Sequence, residues 1–308
     1  MNRFVLTLGL GVLLVGGPVA ALAQTTDEAF AALKAAEAKK DAALVKKLAA
    51  QTHALVAEEL QVPQPEAADM LTAWKERLAW ARDVDSFSEY ALYSVSITAA
   101  PAVAIDLLQT LEKQNPKSKY LDDGGYARYF TALSQAGQAA QIVPVAQRAI
   151  ANLPNCVDAL LVLVDNALTR GDLGTASTLG QRVVAAMSKE TKPEGMAQAD
   201  WDRKRGTALG HGYYAIGMAN ATGNRYYEVD RNLRAALPFI RGNNALLGPA
   251  LFQLGVANYQ LGRQLLDRQR MMQAADFSDQ AARIPGFPNQ NDAWRNSQAI
   301  RAEAAKMR

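Results

Sequence analysis

The chain offers few side chains that could carry out chemistry. Its two histidines, His53 and His211, are far apart, and neither has a second ligand at the spacing of a helical metal site. Neither a Ser-x-x-Lys nor a Gly-x-Ser-x-Gly nucleophile motif is present. The paired acids Asp122-Asp123 and Glu58-Glu59 lie near predicted helix ends, where solvation and the helix dipole account for them. We therefore predict no catalytic residue, no metal site and no cofactor.

Cys156 is the single cysteine, so no disulfide can form within one chain. It stands at the start of a predicted helix, between Asn155 and an apolar run. We expect it to be partly buried and to behave as a small hydrophobic side chain. A redox or nucleophilic role is the alternative.

The elements that position these side chains are predicted to be helices throughout. Helix-favouring residues dominate the composition, and the apolar–polar alternation typical of strands is missing. We predict fourteen helices, over residues 27–39, 42–60, 66–82, 86–98, 101–114, 119–136, 139–152, 156–169, 173–188, 195–222, 227–240, 245–262, 265–283 and 291–306. The predicted fold class is all-α.

The first residues have the order of a secretory signal peptide. A short basic head with Arg3 precedes an apolar run, which Gly16-Gly17-Pro18 breaks ahead of Ala21-Leu22-Ala23. We predict cleavage after Ala23, which places the mature chain in a bacterial periplasm or outside the cell. The apolar run is short for a membrane span, and a retained anchor is the alternative. Without Arg3 the formal net charge of +3 falls to +2, which gives no electrostatic signature of nucleic-acid binding.

Two pairs of residues indicate internal repetition. Pro116 and Pro154 lie 38 residues apart, and Gly217 and Gly255 have the same separation. Prolines of this kind end helices, whereas glycines inside a helix allow a neighbouring helix to approach closely. Repetition at this period indicates stacked helical hairpins, which leave an extended concave surface for a partner.

The repeated residues resemble the tetratricopeptide repeat (TPR) family. Leu254-Gly255 carry the family pattern in one first helix, with Tyr259 one residue beyond the expected aromatic, and Ala176 occupies the alanine of a second helix. Phe130 and Val164 depart from it, because each stands where the family has a small residue. The resemblance covers residues from about 120 to 285 and implies a right-handed α-solenoid of antiparallel helix hairpins. A generic α-solenoid with convergent similarity is the alternative.

The repeat pattern divides the chain into four segments. They are a signal peptide at residues 1–23, divergent helical hairpins at 24–116, TPR-like repeats at 117–285 and a C-terminal capping helix at 286–308. In the capping helix, Trp294 and Ile300 form an apolar side amid charged residues. Two segments are irregular. Residues 193–204 lengthen one first helix, and residues 263–273 are predicted to extend a second helix, where Arg268 and Arg270 either form a solvated basic face or contact an acidic partner.

The resemblance also implies that the first helices line a binding groove. Carried over residue by residue, the groove residues are Arg128, Thr131, Gln135, Leu161, Asp165, Thr169, His211, Tyr214, Met218, Phe252, Val256, Tyr259 and Gln260. Asp165 interrupts an apolar run, and because a buried carboxylate needs a partner, it faces either an internal donor or the groove. Tyr214, Phe252 and Tyr259 offer apolar area with polar tips, which suits peptide recognition.

The predicted function is a non-catalytic scaffold that binds a protein or peptide of the bacterial cell envelope. A solenoid that binds a small ligand or a glycan is the alternative, since Trp74, Trp80, Trp201 and Trp294 offer aromatic platforms. Core positions in amphipathic helices are the simpler role for these tryptophans. An enzyme with an unfamiliar site is the third hypothesis.

Overall fold

The structure is a computed structural model that describes residues 25–193 and 196–307. Within these residues it contains thirteen α-helices and no strand. The helices are α1 (Thr26–Ala38), α2 (Ala42–Glu59), α3 (Leu71–Thr98), α4 (Pro101–Gln114), α5 (Tyr126–Gln135), α6 (Ile142–Asn152), α7 (Val157–Thr169), α8 (Leu173–Lys189), α9 (Gln198–Thr222), α10 (Tyr226–Ile240), α11 (Asn244–Leu265), α12 (Arg268–Ala282) and α13 (Gln290–Ala304). The predicted all-α class is confirmed. The predicted signal peptide, cut after Ala23, lies outside the described residues.

Several helices begin at a side chain that accepts a hydrogen bond from the first turn. The residues that do so are Thr25, Asp41, Asp172, Asn243 and Asp267. Thr25 forms a capping box with Glu28, in which each side chain accepts from the backbone of the other residue. None of the described helices is both long and apolar enough to cross a membrane.

The contacts divide the chain into two compact units, of which the first ends at Ser88 and the second begins at Glu89, inside α3. The core of the first unit includes Val56 of α2 together with Ala81 and Val84 of α3, all buried. The rings of Phe30 and Trp80 cover it, edge to face at 6.2 Å between centroids.

The second unit is a succession of packed helices. Each helix from α4 to α13 packs against the next, and α5, α7, α9 and α11 also pack against one another in that order. Because most connections are short, neighbouring helices run antiparallel. The odd-numbered helices from α5 to α11 therefore form one layer of a row of hairpins, and they are the first helices of the predicted repeats.

The hairpin turns after these first helices share one backbone conformation. Gly137, Gly171, Asn224 and Leu266 all have positive φ, between 53° and 72°. The N–H group of the residue after each donates to a carbonyl five residues back, at 2.8–3.1 Å: Gln138 to Leu133, Asp172 to Ala167, Arg225 to Asn220 and Asp267 to Gly262. This arrangement is the Schellman motif, which ends helices. The four turns are thus structurally equivalent, and Gly137 and Gly171 are 34 residues apart.

Two glycines predicted to serve packing do so. A Cβ atom added at Gly217 would overlap the Leu233 side chain of α10, and one added at Gly255 would overlap the Ser278 hydroxyl of α12. Only a residue without a side chain allows these first and second helices to approach so closely. The packing role predicted for the 38-residue pair is confirmed.

The structure differs from the predicted helices in several places. The predicted helices at 66–82 and 86–98 are joined in α3, because neither glycine nor proline lies between them to stop the helix. Gly262 does not end its helix but lies inside α11, where it packs against Met271. Residues 263–273 do not extend one second helix: α11 runs to Leu265, and α12 begins at Arg268.

Trp294 is also placed differently from the expectation. Its side chain faces outward and is 56% exposed, whereas Ala293, Ser297, Ile300 and Ala304 form the buried side of α13. The buried side of the last helix is therefore formed by small residues and Ile300.

Candidate binding site

The structure brings together two of the predicted groove residues, Asp165 of α7 and His211 of α9. Asp165 Oδ1 lies 2.9 Å from His211 Nδ1, and the Asp165 side chain is 53% exposed. Asp165 is therefore a surface carboxylate with a histidine partner, although it follows an apolar run. Asp165 therefore has an internal hydrogen-bond partner, His211, and also faces solvent.

Other predicted residues on α5 and α7 are tied to backbone groups. Arg128 donates from Nε to the Ser96 carbonyl at 2.9 Å and from Nη2 to the Ala99 carbonyl at 2.7 Å, which caps the end of α3. The hydroxyls of Thr131 and Thr169 each donate to the carbonyl four residues back. Thr131, Gln135 and Thr169 are exposed, so this part of the first-helix layer presents short polar side chains.

The predicted aromatic residues lie in several environments. Tyr214 is 7% exposed and belongs to the core between α9, α10 and α11, and burial raises its pKa to about 12. Met218 packs at the edge of the same core. Phe252 contacts the ring of Phe287 at 5.9 Å between centroids. None of these three side chains stands free in a groove.

The predicted residues at the end of α11 lie against the last helix. The Tyr259 hydroxyl donates to Glu303 Oε2 at 2.7 Å, and this hydrogen bond with a carboxylate raises the pKa of Tyr259. Val256, Tyr259 and Gln260 line a cavity of about 240 Å³ together with side chains of α13. The capping helix thus covers this end of the predicted groove.

A larger cleft lies at residues that sequence reasoning did not select. It has a volume of about 1110 Å³ and is open to solvent. The residues that line it are Tyr93, Lys119, Tyr120, Asp122, Asp123, Asn155, Ala186, Lys189, Glu190, Thr191, Pro193, Met196, Ala197 and Asp200. Four carboxylates and two ammonium groups line this space, which we call the acidic cleft.

Tyrosines form one wall of the acidic cleft. The rings of Tyr93 and Tyr120 are stacked, with centroids 6.0 Å apart and planes at 22°. The turn that follows Tyr120 contains Gly124, whose φ is 122°; a Cβ atom there would lie 3.2 Å from the Tyr93 hydroxyl. The glycine therefore lets the turn carrying Asp122 and Asp123 lie close to the tyrosine wall.

The carboxylates of the cleft repel one another and are partly removed from water. Burial raises the pKa of Asp122, and the neighbouring charge of Asp123 adds to the increase. Burial also raises the pKa of Glu190, with the charges of Asp122 and Asp158 as further causes. Neither Asp123 nor Glu190 has an ion-pair partner within residues 25–193 and 196–307. Asp123 and Glu190 can therefore offer carboxylates to an entering cation, although the charge of Lys204 already acts on Glu190.

A lysine lies beside these carboxylates. Lys204 Nζ donates to Asp158 Oδ2 at 3.3 Å. Burial would lower the pKa of Lys204, but the charges of Asp158 and Glu190 outweigh it, so that its pKa is raised. Lys204 therefore stays protonated, and its charge neutralises the carboxylate of Asp158.

Cys156 lies next to this cluster. It is completely buried, and its thiol donates a hydrogen bond to Asp122. Burial raises the pKa of the Cys156 thiol above its usual range, so the thiol stays protonated at neutral pH. The structure places Cys156 in the packed interior, as expected for a small hydrophobic side chain, and its burial is complete rather than partial.

Two signals in the sequence mark the acidic cleft. The Asp122-Asp123-Gly124-Gly125 run breaks the helix predicted at 119–136, and residues 190–197 lengthen the connection between α8 and α9. The sequence predicts only a helix-end role for Asp122 and Asp123, and no sequence signal marks Tyr93. Among residues 25–193 and 196–307, no group of histidine, cysteine and carboxylate side chains has the arrangement of a metal site. Comparison with protein-family models, curated proteins and solved structures gives no match.

Proposed function

We propose that the chain is a non-catalytic scaffold that binds a protein or peptide partner, and that the acidic cleft takes a basic segment of that partner. The acidic cleft is the observation that carries the proposal. Its volume of about 1110 Å³ exceeds that of most small-molecule sites, and it opens to solvent as a peptide groove does. Its chemistry is that of recognition, since it contains tyrosines and carboxylates without a nucleophile–base pair.

The finer fold assignment is part of the same proposal. We infer a TPR-like, right-handed α-solenoid over the second unit. Four equivalent Schellman turns, close-packing glycines at 217 and 255, and the layer of first helices support it. The 34-residue separation of Gly137 and Gly171 equals the length of a TPR unit.

The side chains of the cleft favour a lysine or arginine as the anchor of the partner. A cation that enters would be paired with Asp123 and Glu190, which form no ion pair among the described residues, and would lie near the Tyr93 ring. The Tyr120 ring already carries the Lys119 ammonium, 5.0 Å from its centroid. The exposed polar residues Thr131, Gln135 and Thr169 on the first helices would contact the remainder of the partner.

A peptide-library selection tests this function. Immobilised protein is incubated with a random peptide library, and bound peptides are sequenced. We expect enrichment of peptides with lysine or arginine. The Asp123→Asn/Glu190→Gln variant should lose this enrichment, whereas the matched control Asp276→Asn/Glu58→Gln, which alters carboxylates outside the cleft, should keep it. A library without any basic enrichment would contradict the proposal.

A glycan-binding function is the second candidate, because Trp294 is exposed. Its indole lines a shallow cavity of about 430 Å³ with Asp279, Arg283, Gln290 and Asn291. An aromatic face beside charged and amide side chains suits a sugar ring. Titration with soluble peptidoglycan fragments should then change tryptophan fluorescence, and Trp294→Ala should abolish the change.

Export to a periplasm or to the outside of the cell is also part of the proposal. It rests on the order of basic, apolar and small residues from Met1 to Ala23. N-terminal sequencing of the protein recovered from the envelope fraction should begin at Gln24.

A further inference from the structure

The turn between α11 and α12 differs from the three equivalent turns in one respect. At the left-handed position the other hairpins have Gly137, Gly171 and Asn224, which are the residue types that adopt positive φ most readily. The fourth has Leu266, with φ of 53°. A branched apolar residue is strained in this conformation, and strained residues cluster at functional sites.

The Leu266 side chain is exposed as well as strained. It is 81% exposed, the preceding Leu265 is 54% exposed, and Tyr227 at the start of α10 is 58% exposed. The guanidinium of Arg270 lies over the Tyr227 ring, 5.9 Å from its centroid, and so links the two neighbouring hairpin turns. We call this group of Leu265, Leu266 and Tyr227 the leucine turn.

Arginines flank the leucine turn. Arg225 and Arg268 are exposed, and Arg270 follows in the first turn of α12. The nearby acids are Glu228 and Asp267, and the Asp267 carboxylate already accepts from the backbone N–H of Arg270 at 2.9 Å. Arg263, one turn earlier, is neutralised by Glu303 at 3.1 Å. The exposed charges beside the leucines, those of Arg225 and Arg268, are therefore positive, whereas Glu228 and Asp267 are half-buried and Nη1 of Arg270 is buried.

We propose that the leucine turn docks on a lipid bilayer with anionic headgroups. Two adjacent leucines at the tip of a turn are suited to enter the interface between headgroups and acyl chains, while the exposed Arg225 and Arg268 contact lipid phosphates. A convex tip favours a bilayer over a peptide, because a peptide ligand requires a groove. The inference is independent of the acidic cleft and of any segment outside the described residues.

A fluorescent label on the turn tests the proposal. Because Cys156 is completely buried, a cysteine introduced by Leu266→Cys can be labelled selectively with an environment-sensitive dye. The control is Gly242→Cys, in the turn between α10 and α11, where a Cβ atom meets nothing within 4 Å. The full-length chain is titrated with vesicles of phosphatidylcholine alone and of phosphatidylcholine mixed with phosphatidylglycerol.

We expect a blue shift at position 266 with phosphatidylglycerol vesicles, little shift with neutral vesicles, and none at position 242. Added salt should reduce the shift, because it screens the arginines. No shift at position 266, equal shifts at both positions, or equal shifts with both vesicle types would overturn the proposal. A shift that depends on protein concentration without vesicles would also overturn it and would indicate a second copy of the chain.

A second variant, altered at Leu266 alone, separates lipid binding from folding. Leu266→Gly removes the exposed side chain and relieves the positive φ, so the folded state should be at least as stable as the original. We expect its affinity for phosphatidylglycerol vesicles, measured with a dye at position 242 by energy transfer to labelled lipid, to fall at least about tenfold. Retained affinity would overturn the proposal.

Discussion

Asp165 Oδ1 lies 2.9 Å from His211 Nδ1, and this contact is the second of two pairs that join α7 to α9. Two helical turns earlier in both helices, Asp158 Oδ2 lies 3.3 Å from Lys204 Nζ. The two pairs differ in exposure, since the Asp158 side chain is 15% exposed and that of Asp165 is 53% exposed. The Asp158–Lys204 pair lies beside the acidic cleft, and the Asp165–His211 pair faces solvent.

We predict that the same substitution has different effects at these two positions. Asp165→Asn should change the free energy of unfolding by less than about 1 kcal/mol, because exposed ion pairs contribute little. Asp158→Asn should cost about 1.5–3 kcal/mol, because it leaves the partly buried Lys204 ammonium without its nearest carboxylate. Urea unfolding followed by circular dichroism measures both values. Equal losses in the free energy of unfolding for the two variants would contradict the difference in burial between Asp158 and Asp165.

The pKa of Asp122 gives a prediction about pH. Folding raises this pKa above the ordinary value of 3.8, mainly through burial. Above that ordinary value the unfolded chain has released the proton while the folded chain still holds it, so this group makes the free energy of unfolding fall as pH rises. Asp122→Asn cannot ionise, and its amide oxygen can still accept from Cys156. The variant should therefore gain stability relative to the original chain as pH rises from about 4 to 7.

Urea unfolding at a series of pH values measures this gain. Asp276→Asn, which alters an exposed carboxylate of α12, serves as the control and should give a curve parallel to that of the original chain. A parallel curve for Asp122→Asn as well would contradict the raised pKa.

The close approach of α11 and α12 gives a third prediction. Gly255→Ala places a methyl group against Ser278 and within 3.2 Å of the Ala274 carbonyl oxygen, and should destabilise the fold by about 1–3 kcal/mol despite the better helix propensity of alanine. Gly242→Ala meets no neighbour within 4 Å and should leave stability unchanged or raise it by up to about 1 kcal/mol. Thermal unfolding compares the two. Similar melting temperatures for the Gly255→Ala and Gly242→Ala variants would contradict the close packing of α11 against α12.

Most helices were predictable because their residues encode them locally. Amphipathic spacing, proline after α4 and α6, and Gly137 and Gly171 at the turns fix these helices with few neighbours involved. Leu266 could not be predicted as a turn residue, because leucine in the left-handed region is unfavourable and only the surrounding packing holds it there. The end of α11 likewise lies three residues beyond the predicted end at residue 262, because Gly262 packs against Met271 inside the helix.

The acidic cleft was not predictable from residue spacing. Tyr93 and Glu190 are far apart in the sequence, and only the stacking of helices brings them to one opening. The Asp165–His211 contact likewise joins residues 46 positions apart. Family resemblance selected positions on the first helices, where Tyr214 proves to be part of the core. Local sequence patterns therefore predict the helices, whereas the candidate site depends on tertiary contacts.

Titration of one selected peptide tests the central claim most directly. The basic peptide most enriched in the library selection is titrated calorimetrically into the original chain, the cleft variant Asp123→Asn/Glu190→Gln, and the first-helix variant Asp165→Asn. We predict that the affinity falls at least about tenfold for the cleft variant, because two carboxylate partners are lost, and stays within about twofold for Asp165→Asn. Equal affinity for the original chain and the cleft variant would contradict the assignment of the acidic cleft as the binding site.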